Sequence, residues 1–320
     1  MILDILYRLR TLFLLARTSA LNRQLHNKKN EQFKNFNVLK KTFITKYKKI
    51  EKEKEDKHII ATWNEKNKRL AQAFLPYPPF NFLRNTIVLR TMFVVSRGKW
   101  ISEELKFLEQ EISKTRLKQL LEEDPTGGPL LLSAKYMTSH NSIHHLYHLQ
   151  RFLSHMNYKF SNNQTIVEWG GGYGNFAKII KRYNSNKNLT YILIDSPIFA
   201  CIQWLYLTTV LGSKNVHIID NRKGKIKKGL INVLPLGYLK FHKIKADLFI
   251  STWALSESSK FSQDYVTEHD WFGAKSFLLT FQKGSKSFPY ADNIGKLLRE
   301  KGGTIKGISF LPNNYYGFKT

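Results

Sequence analysis

The residues best suited to chemistry lie in the stretch TIVEWGGGYGNFAKII, at positions 165–180. Glu168 stands near the end of a hydrophobic run that predicts a strand, and a glycine-rich loop separates this run from a predicted helix. Glycine is needed at such a turn when the backbone must approach a ligand closely, because any Cβ would block the approach. The stretch therefore predicts a ligand-binding loop, whose glycines in the order G-x-G-x-G are Gly170, Gly172 and Gly174.

A second carboxylate ends the next predicted strand, YILID. Asp195 lies 21 residues beyond Gly174, where it would accept hydrogen bonds from ribose hydroxyls. Glu168 precedes the first glycine by two residues, where a carboxylate would repel a pyrophosphate but suits a cationic amino-acid group. The loop lacks the third glycine of the dinucleotide fingerprint, and no P-loop lysine follows it. These features favour S-adenosylmethionine as the cofactor, and the alternative is a tight turn that binds no ligand.

The elements that must position these residues change character along the chain. After residue 129, short apolar runs alternate with amphipathic stretches, a pattern that predicts βαβ units and a parallel sheet. The turn-rich run EEDPTGGP, residues 122–129, is the predicted hinge and domain boundary. We therefore expect a helical, basic N-terminal region at 1–125 and a Rossmann-like, doubly wound α/β domain at 126–320.

The N-terminal region predicts several amphipathic helices. Apolar residues at helical spacing within residues 1–20 are interrupted by three arginines, so this helix is not expected to span a membrane. Its apolar stripe would contact an anionic inner-membrane surface, or else pack on the protein's own core or a second subunit. Further helices are expected over residues 21–57, near 83–96 and over 101–122.

The composition bounds the possible partners. The 320 residues include 51 Lys and Arg against 24 Asp and Glu, a formal net charge of +27, which raises the possibility of nucleic-acid binding. The basic residues are mostly lysines spread along the whole chain, and this distribution disfavours a nucleic-acid groove. One cysteine excludes an internal disulfide framework and a thiolate zinc site, and it fits a cytoplasmic setting.

Four segments together resemble a known family: NSIHHLYHL, EWGGGYGNFAKII, YILIDSP and DLFISTWALSESS. They are similar to the bacterial sugar O-methyltransferases, class I S-adenosylmethionine-dependent enzymes of polysaccharide gene clusters, over roughly residues 139–320. The resemblance implies that Glu168 and the loop glycines hold the methionine part, Asp195 the ribose, and Asp220, after the strand VHIID, the adenine. It also implies a class I methyltransferase sheet with helices on both faces, and a sugar hydroxyl of a surface polysaccharide or its precursor as the acceptor.

Methyl transfer to a hydroxyl needs an aligned acceptor oxygen and a general base. Ligands of open α/β sheets bind beyond the carboxyl ends of the strands, which selects the loop STWALSESS. Its only carboxylate, Glu257, is the first candidate for the base; the alternative is that Glu257 caps a helix or pairs with a lysine. Ser251 and Trp253 of the same loop are expected to contact the cofactor.

A histidine cluster supplies the second candidate. His140, His144 and His148 recur every fourth residue and share one face of a predicted helix, while Asn141 and His145 form the next stripe. His145 is the member assigned as a base or substrate contact. The alternatives are a metal pair that would need a third ligand from elsewhere, or an ordinary buried helix. No metal ligand is assigned.

The sequence thus predicts an S-adenosylmethionine-dependent methyltransferase whose partner is a sugar or glycan acceptor. Two alternatives remain open. One is an RNA methyltransferase that uses the basic surface, and the other is a non-catalytic binding protein that retains the methyltransferase fold.

Overall fold

The alternating apolar runs of the C-terminal region form one twisted sheet. A computed structural model describes residues 2–21, 26–53, 55–92 and 100–320, and of residues 2–7, 20 and 26–29 it describes the backbone alone. The sheet strands are β3 (Thr165–Trp169), β4 (Thr190–Asp195), β5 (Val216–Ile218), β6 (Ile231–Pro235), β7 (Leu248–Thr252), β8 (Ser276–Gln282), β9 (Thr304–Gly307) and β10 (Asn314–Lys319). Strands β1 (Leu131–Ser133) and β2 (Thr138–Ser139) form a separate antiparallel pair.

The order of strands in the sheet is β5-β6-β4-β3-β7-β8-β10-β9. Neighbours from β5 to β8 are parallel, and β10 is antiparallel to both β8 and β9. The chain adds strands on one side of β3 and then crosses to β7 on its other side. Ligands of open α/β sheets bind at such a reversal, beyond the carboxyl ends of the strands, so this topology places the crevice between the loops after β3 and β7.

Helices flank the sheet and precede it. Those before the sheet are α1 (Ile2–Leu21), α2 (His26–Glu51), α3 (Ala61–Phe74), α4 (Thr86–Thr91), α5 (Ile101–Glu111) and α6 (Lys114–Leu121), with short 3-10 helices at Asp56–His58 and Phe82–Arg84. Those within the second region are α7 (His140–Met156), α8 (Asn175–Tyr183), α9 (Pro197–Leu211), α10 (Leu236–Leu239), α11 (Lys260–Glu268) and α12 (Asn293–Glu300), with a turn at Asp270–Gly273. The predicted Rossmann-like fold with an N-terminal helical extension is confirmed.

Two N-terminal helix predictions change in detail. The single helix expected over 101–122 is two helices, because Ile112 takes extended backbone angles and Ser113 is also non-helical between α5 and α6. The helix expected near 83–96 is the short α4, and residues 93–99 lie outside the described residues. Within the described part of the chain, no helix is both long and apolar enough to cross a membrane.

The N-terminal helices pack directly on the second region. Helix α2 lies along α9 and buries Phe36 and Phe43. The chain at the predicted hinge is anchored by two ion pairs, from Lys178 to Glu123 at 3.0 Å and from Arg182 to Asp124 at 2.6 Å. Helix α3 also contacts α9, and the 3-10 helix at Asp56–His58 contacts α11. Residues of both elements line the crevice and form part of the candidate site.

Candidate active site

A cavity of about 430 Å³ opens at the point where the strand order reverses. This volume is within the range of small-molecule sites. The lining combines the loop after β3, the end of β4, the loop after β7 and residues of the N-terminal region. Among the predicted site residues, those that line the cavity are Glu168, Gly170, Gly172, Asp195, Trp253, Glu257 and His145.

The glycine loop approaches its neighbours closely. Gly170 has φ +76°, and a Cβ there would lie 2.1 Å from Cβ of Ala254 in the loop after β7. Its N–H donates to the carbonyl of Ile194 at 2.9 Å. Gly172 has φ +56°, but a Cβ there would meet no atom within 4 Å. Gly170 is therefore required by packing, whereas Gly172 leaves open the space that a ligand would fill.

Asp195 is tied to that loop. Its Oδ2 accepts hydrogen bonds from the N–H of Gly171 at 3.1 Å and from Nε2 of Gln203 at 2.7 Å, and its Oδ1 accepts from the N–H of Ser196 at 2.8 Å. Burial raises the pKa of Asp195 to about 7, although these hydrogen bonds act in the opposite direction. The carboxylate at the tip of β4 is thus fixed in place beside the cavity.

Glu168 lies on the neighbouring strand β3 and is more deeply buried than Asp195. Its Oε2 accepts a hydrogen bond from the hydroxyl of Tyr191 at 2.8 Å. Burial, together with the neighbouring charge of Asp195, raises the pKa of Glu168 to about 8, although the hydrogen bond from Tyr191 acts in the opposite direction. A cation bound in the cavity would favour the ionised form of both carboxyl groups.

Trp253 is held in a strained conformation at the tip of β7. Its φ is +64°, and its Nε1 donates to Oδ1 of Asn314 at 2.7 Å. One ring face stacks on His144, with centroids 5.6 Å apart. A bulky residue in the left-handed region is uncommon and persists only when its surroundings fix it, so the position of the indole in the cavity wall is strongly specified.

A buried chain of hydrogen bonds supports that stack. His144 places Nδ1 2.6 Å from Oε1 of Glu104 and Nε2 2.9 Å from Nε2 of His148. His148 places Nδ1 2.8 Å from the hydroxyl of Tyr316. Both ring nitrogens of His144 are engaged in this chain, which therefore positions Trp253. Within the described residues, no group of three or more His, Cys, Asp or Glu side chains is arranged to hold a metal ion.

Glu257 lies in the cavity wall beside N-terminal residues. Burial raises its pKa to about 7, while the charge of Lys66 and hydrogen bonds with Trp63 and Gln282 lower it. The cap of the following helix α11 is Ser259, whose side chain accepts from the N–H of Ser262. Glu257 is thus not the helix cap. It is a carboxyl group that can exist in either protonation state near neutral pH.

His145 also reaches the cavity. Its Nδ1 lies 3.2 Å from Nδ2 of Asn175. Burial lowers the pKa of His145 to about 3, and the charges of His144 and Lys178 contribute. The ring is therefore neutral near pH 7, and a neutral imidazole can donate one hydrogen bond.

Three predicted cofactor residues lie outside the cavity lining. Gly174 is the N-cap of α8, and Ser251 fixes its loop by donating to the carbonyl of Trp169 at 3.1 Å and accepting from the N–H of Leu255 at 2.9 Å. Asp220 follows β5, which is an edge strand, because β6 takes the place beside β4.

The carboxylate of Asp220 pairs instead with Lys46 at 3.4 Å and Lys49 at 3.1 Å, both on α2. The proposed site therefore does not include Asp220.

The N-terminal region supplies part of the cavity wall, which none of the sequence motifs predicted. Trp63, Lys66 and Asn67 of α3 line the cavity together with His58. The three residues of α3 are spaced i, i+3 and i+4, so they lie on one face of the helix. Nζ of Lys66 lies 4.0 Å from the ring centre of Trp63. The sequence signal for these residues is the helical spacing of Trp63, Lys66 and Asn67 within ATWNEKNK, which predicts a shared face.

Comparisons with known proteins give structural likenesses only. No family model matches the sequence, and no curated protein matches it. Phosphoethanolamine N-methyltransferase 2 of Haemonchus contortus, solved with S-adenosylmethionine, is 14% identical over 52% of this chain and 38% of its own, with a TM-score of 0.35. The mitomycin 7-O-methyltransferase MmcR is 13% identical over 69% and 68%, with a TM-score of 0.36. An S-adenosylmethionine-dependent methyltransferase of Aquifex aeolicus is 14% identical over 52% and 86%, with a TM-score of 0.35.

Proposed function

We propose that this chain is an S-adenosylmethionine-dependent O-methyltransferase that acts on a sugar hydroxyl of a surface polysaccharide or its precursor. The observation that carries the proposal is a pair of carboxyl groups, the buried Glu168 and the partly buried Asp195, near the ends of adjacent strands beside a glycine loop and one cavity. In a protein with net charge +27, two acids kept in one cavity suit a cationic ligand.

The residues present fit the cofactor. Gly172 leaves room for a ligand against the loop, Asp195 would accept hydrogen bonds from ribose hydroxyls, and Glu168 would face the amino-acid part. When bound, S-adenosylmethionine supplies an electrophilic methyl group. The chain's own contribution is to hold the cofactor between the loops after β3 and β7, where the strand order reverses.

The acceptor side of the cavity combines aromatic and polar groups. Trp63 and Trp253 place indole rings in the cavity lining, and Gln282 adds an amide, a combination suited to a sugar ring with its hydroxyls. Glu257 would take the proton from the acceptor hydroxyl, because its pKa of about 7 is close to the working pH. The neutral His145 would donate a hydrogen bond to the acceptor.

The test is transfer of label from methyl-labelled S-adenosylmethionine to a panel of acceptors: sugar nucleotides, a cell-envelope glycan fraction and total RNA. We expect label in a glycan acceptor that acid hydrolysis releases as an O-methyl sugar. The Glu257→Gln variant is the control, since the change is isosteric and removes the base; circular dichroism checks that it is folded. Label found in RNA alone would support the RNA methyltransferase alternative and contradict the sugar assignment. Binding of the cofactor without transfer to any acceptor would favour a non-catalytic binding protein.

A further inference from the structure

The N-terminal helix α1 presents an apolar stripe to solvent. Leu9, Leu12 and Phe13 are 58%, 61% and 60% exposed, although large apolar side chains are usually covered. They lie at i, i+3 and i+4, so they share one face of the helix, and the exposed Ala16 continues that face by one more turn. Scattered exposed apolar residues are ordinary, whereas a contiguous patch marks an interaction surface.

The opposite face of α1 is fixed to the protein. Leu14 is buried, and the hydroxyl of Thr18 donates to the carbonyl of Leu14 at 2.6 Å and accepts from the N–H of Leu131 at 2.8 Å. Leu21 packs against Leu131 and Met137. The helix therefore cannot turn its outer stripe inward without breaking these contacts, and the stripe stays at the surface.

The charges beside the stripe identify its partner. Arg8 and Arg17 are exposed at its two ends, and residues 8–21 contain no acidic residue. We propose that this face of α1 docks on an anionic membrane surface, with Leu9, Leu12 and Phe13 inserted among the lipids and the arginines at the headgroups. Basic amphipathic helices with large apolar side chains bind such surfaces in this way. A second copy of the chain would bring together two equally basic faces of a protein with net charge +27, which disfavours self-association there.

The docking helix also lies near the cavity. Arg10 is close enough to His140 that its charge, after burial, helps to lower the pKa of His140 to about 3. His140 is the first residue of α7, and the next turn of that helix carries His144 and His145, which line the cavity. Docking through α1 would therefore set the orientation of the cavity relative to the membrane.

The experiment is flotation of the full-length protein with vesicles of phosphatidylcholine alone and of phosphatidylcholine with phosphatidylglycerol. We expect binding to the anionic vesicles only, and at least about tenfold weaker binding for the Leu12→Gln/Phe13→Gln variant, because each side chain inserts apolar surface. The matched control is Val38→Gln, since Val38 on α2 is 67% exposed but stands outside the stripe. Circular dichroism and the melting temperature establish that each variant is folded.

Three results would overturn the proposal. The first is a wild-type protein that does not float with anionic vesicles at low salt. The second is equal binding by Leu12→Gln/Phe13→Gln and by wild type. The third, from sedimentation velocity, is a dimer that this double variant dissociates while vesicle binding is unchanged, which would make the stripe a contact between copies. None of these results bears on methyl transfer, so the proposed function is tested separately.

Discussion

The backbone N–H of Gly171 donates a hydrogen bond of 3.1 Å to Oδ2 of Asp195. This bond joins the glycine loop after β3 to the carboxylate at the tip of β4. The two features that the sequence presents 24 residues apart are therefore one preorganised unit, and a change in either should alter the binding of the cofactor.

Replacement of Asp195 tests the ribose contact. In Asp195→Asn, one carboxylate oxygen becomes an amide nitrogen, which cannot accept a hydrogen bond. The loss of a charged acceptor should cost about 1.5–3 kcal/mol of binding, or about 10- to 150-fold in Kd for S-adenosylmethionine. The matched control is Asp264→Asn, since Asp264 is an exposed residue paired with Lys260. A Kd unchanged in Asp195→Asn would remove Asp195 from the site.

Two alanine substitutions in the glycine loop should differ in their effect on stability. Both positions have positive φ, so either alanine should cost about 1 kcal/mol or more through its backbone. Gly170→Ala also forces a Cβ against Ala254, whereas Gly172→Ala meets open space.

We therefore expect Gly170→Ala to have the lower melting temperature. Gly172→Ala should stay folded but bind S-adenosylmethionine at least about tenfold more weakly, because its Cβ occupies the ligand space. Equal melting temperatures for the two variants would contradict the packing role of Gly170.

The pH dependence of transfer should follow Glu257. Only the ionised carboxylate can take a proton, so single-turnover rates should rise with pH through about 7. Glu257→Gln should lower the rate by about 10²- to 10⁴-fold with little change in cofactor affinity. A histidine base with the lowered pKa of His145 would give no such rise near neutrality.

Replacement of Lys66 also tests whether Glu257 is the base. Its charge lowers the pKa of Glu257, so Lys66→Met should move the rising limb of the pH–rate profile to higher pH. Lys68 is exposed on the same helix and lies outside the cavity lining, so Lys68→Met is the matched control and should leave the profile in place. A limb that does not move in Lys66→Met would contradict the assignment of Glu257.

The glycine loop and the two strand-tip acids could be predicted from sequence because their spacing is local. Glu168, Gly170 and Asp195 belong to one strand–loop–helix–strand unit, and such a unit fixes its own geometry. The place of Glu257 in the cavity could be predicted because ligands bind beyond the carboxyl ends of strands, where its loop lies.

The remaining parts of the site depend on the spatial order of elements, which spacing does not encode. Asp220 follows β5, which is the third strand of the sheet in chain order. In space, however, β6 lies between β5 and β4. Trp63 and Lys66 come from a helix about 100 residues before the glycine loop and reach the cavity only through tertiary packing.

The pH dependence of stability should reflect Glu168. Its pKa is raised from 4.5 to about 8 in the folded protein, so the folded state holds a proton that the unfolded state has released between these values. Stability from this group is fully present below pH 4.5 and is lost as pH rises through about 8. In ligand-free protein, the melting temperature of wild type should fall more steeply over this range than that of Glu168→Gln. Parallel curves would contradict the raised pKa.

The buried pair of Lys178 and Glu123 should contribute to attachment of the N-terminal region. Lys178→Met leaves the Glu123 carboxylate buried without its main cation and should lower the free energy of unfolding by about 3–5 kcal/mol. The double variant Lys178→Met/Glu123→Gln should recover part of this loss. Lys135→Met is the control, because its pair with Glu109 is exposed and screened by solvent and should contribute little to stability. Unfolding in guanidinium chloride measures the free energy of unfolding of all three variants.

S-adenosylmethionine is expected to bind in the cavity between the loops after β3 and β7. Isothermal titration of the full-length protein with this cofactor is the most direct test. The predicted result is saturable binding of one molecule per chain, accompanied by proton release near pH 7 as Glu168 and Asp195 ionise around the cation. A folded protein that gives no binding isotherm would contradict the account.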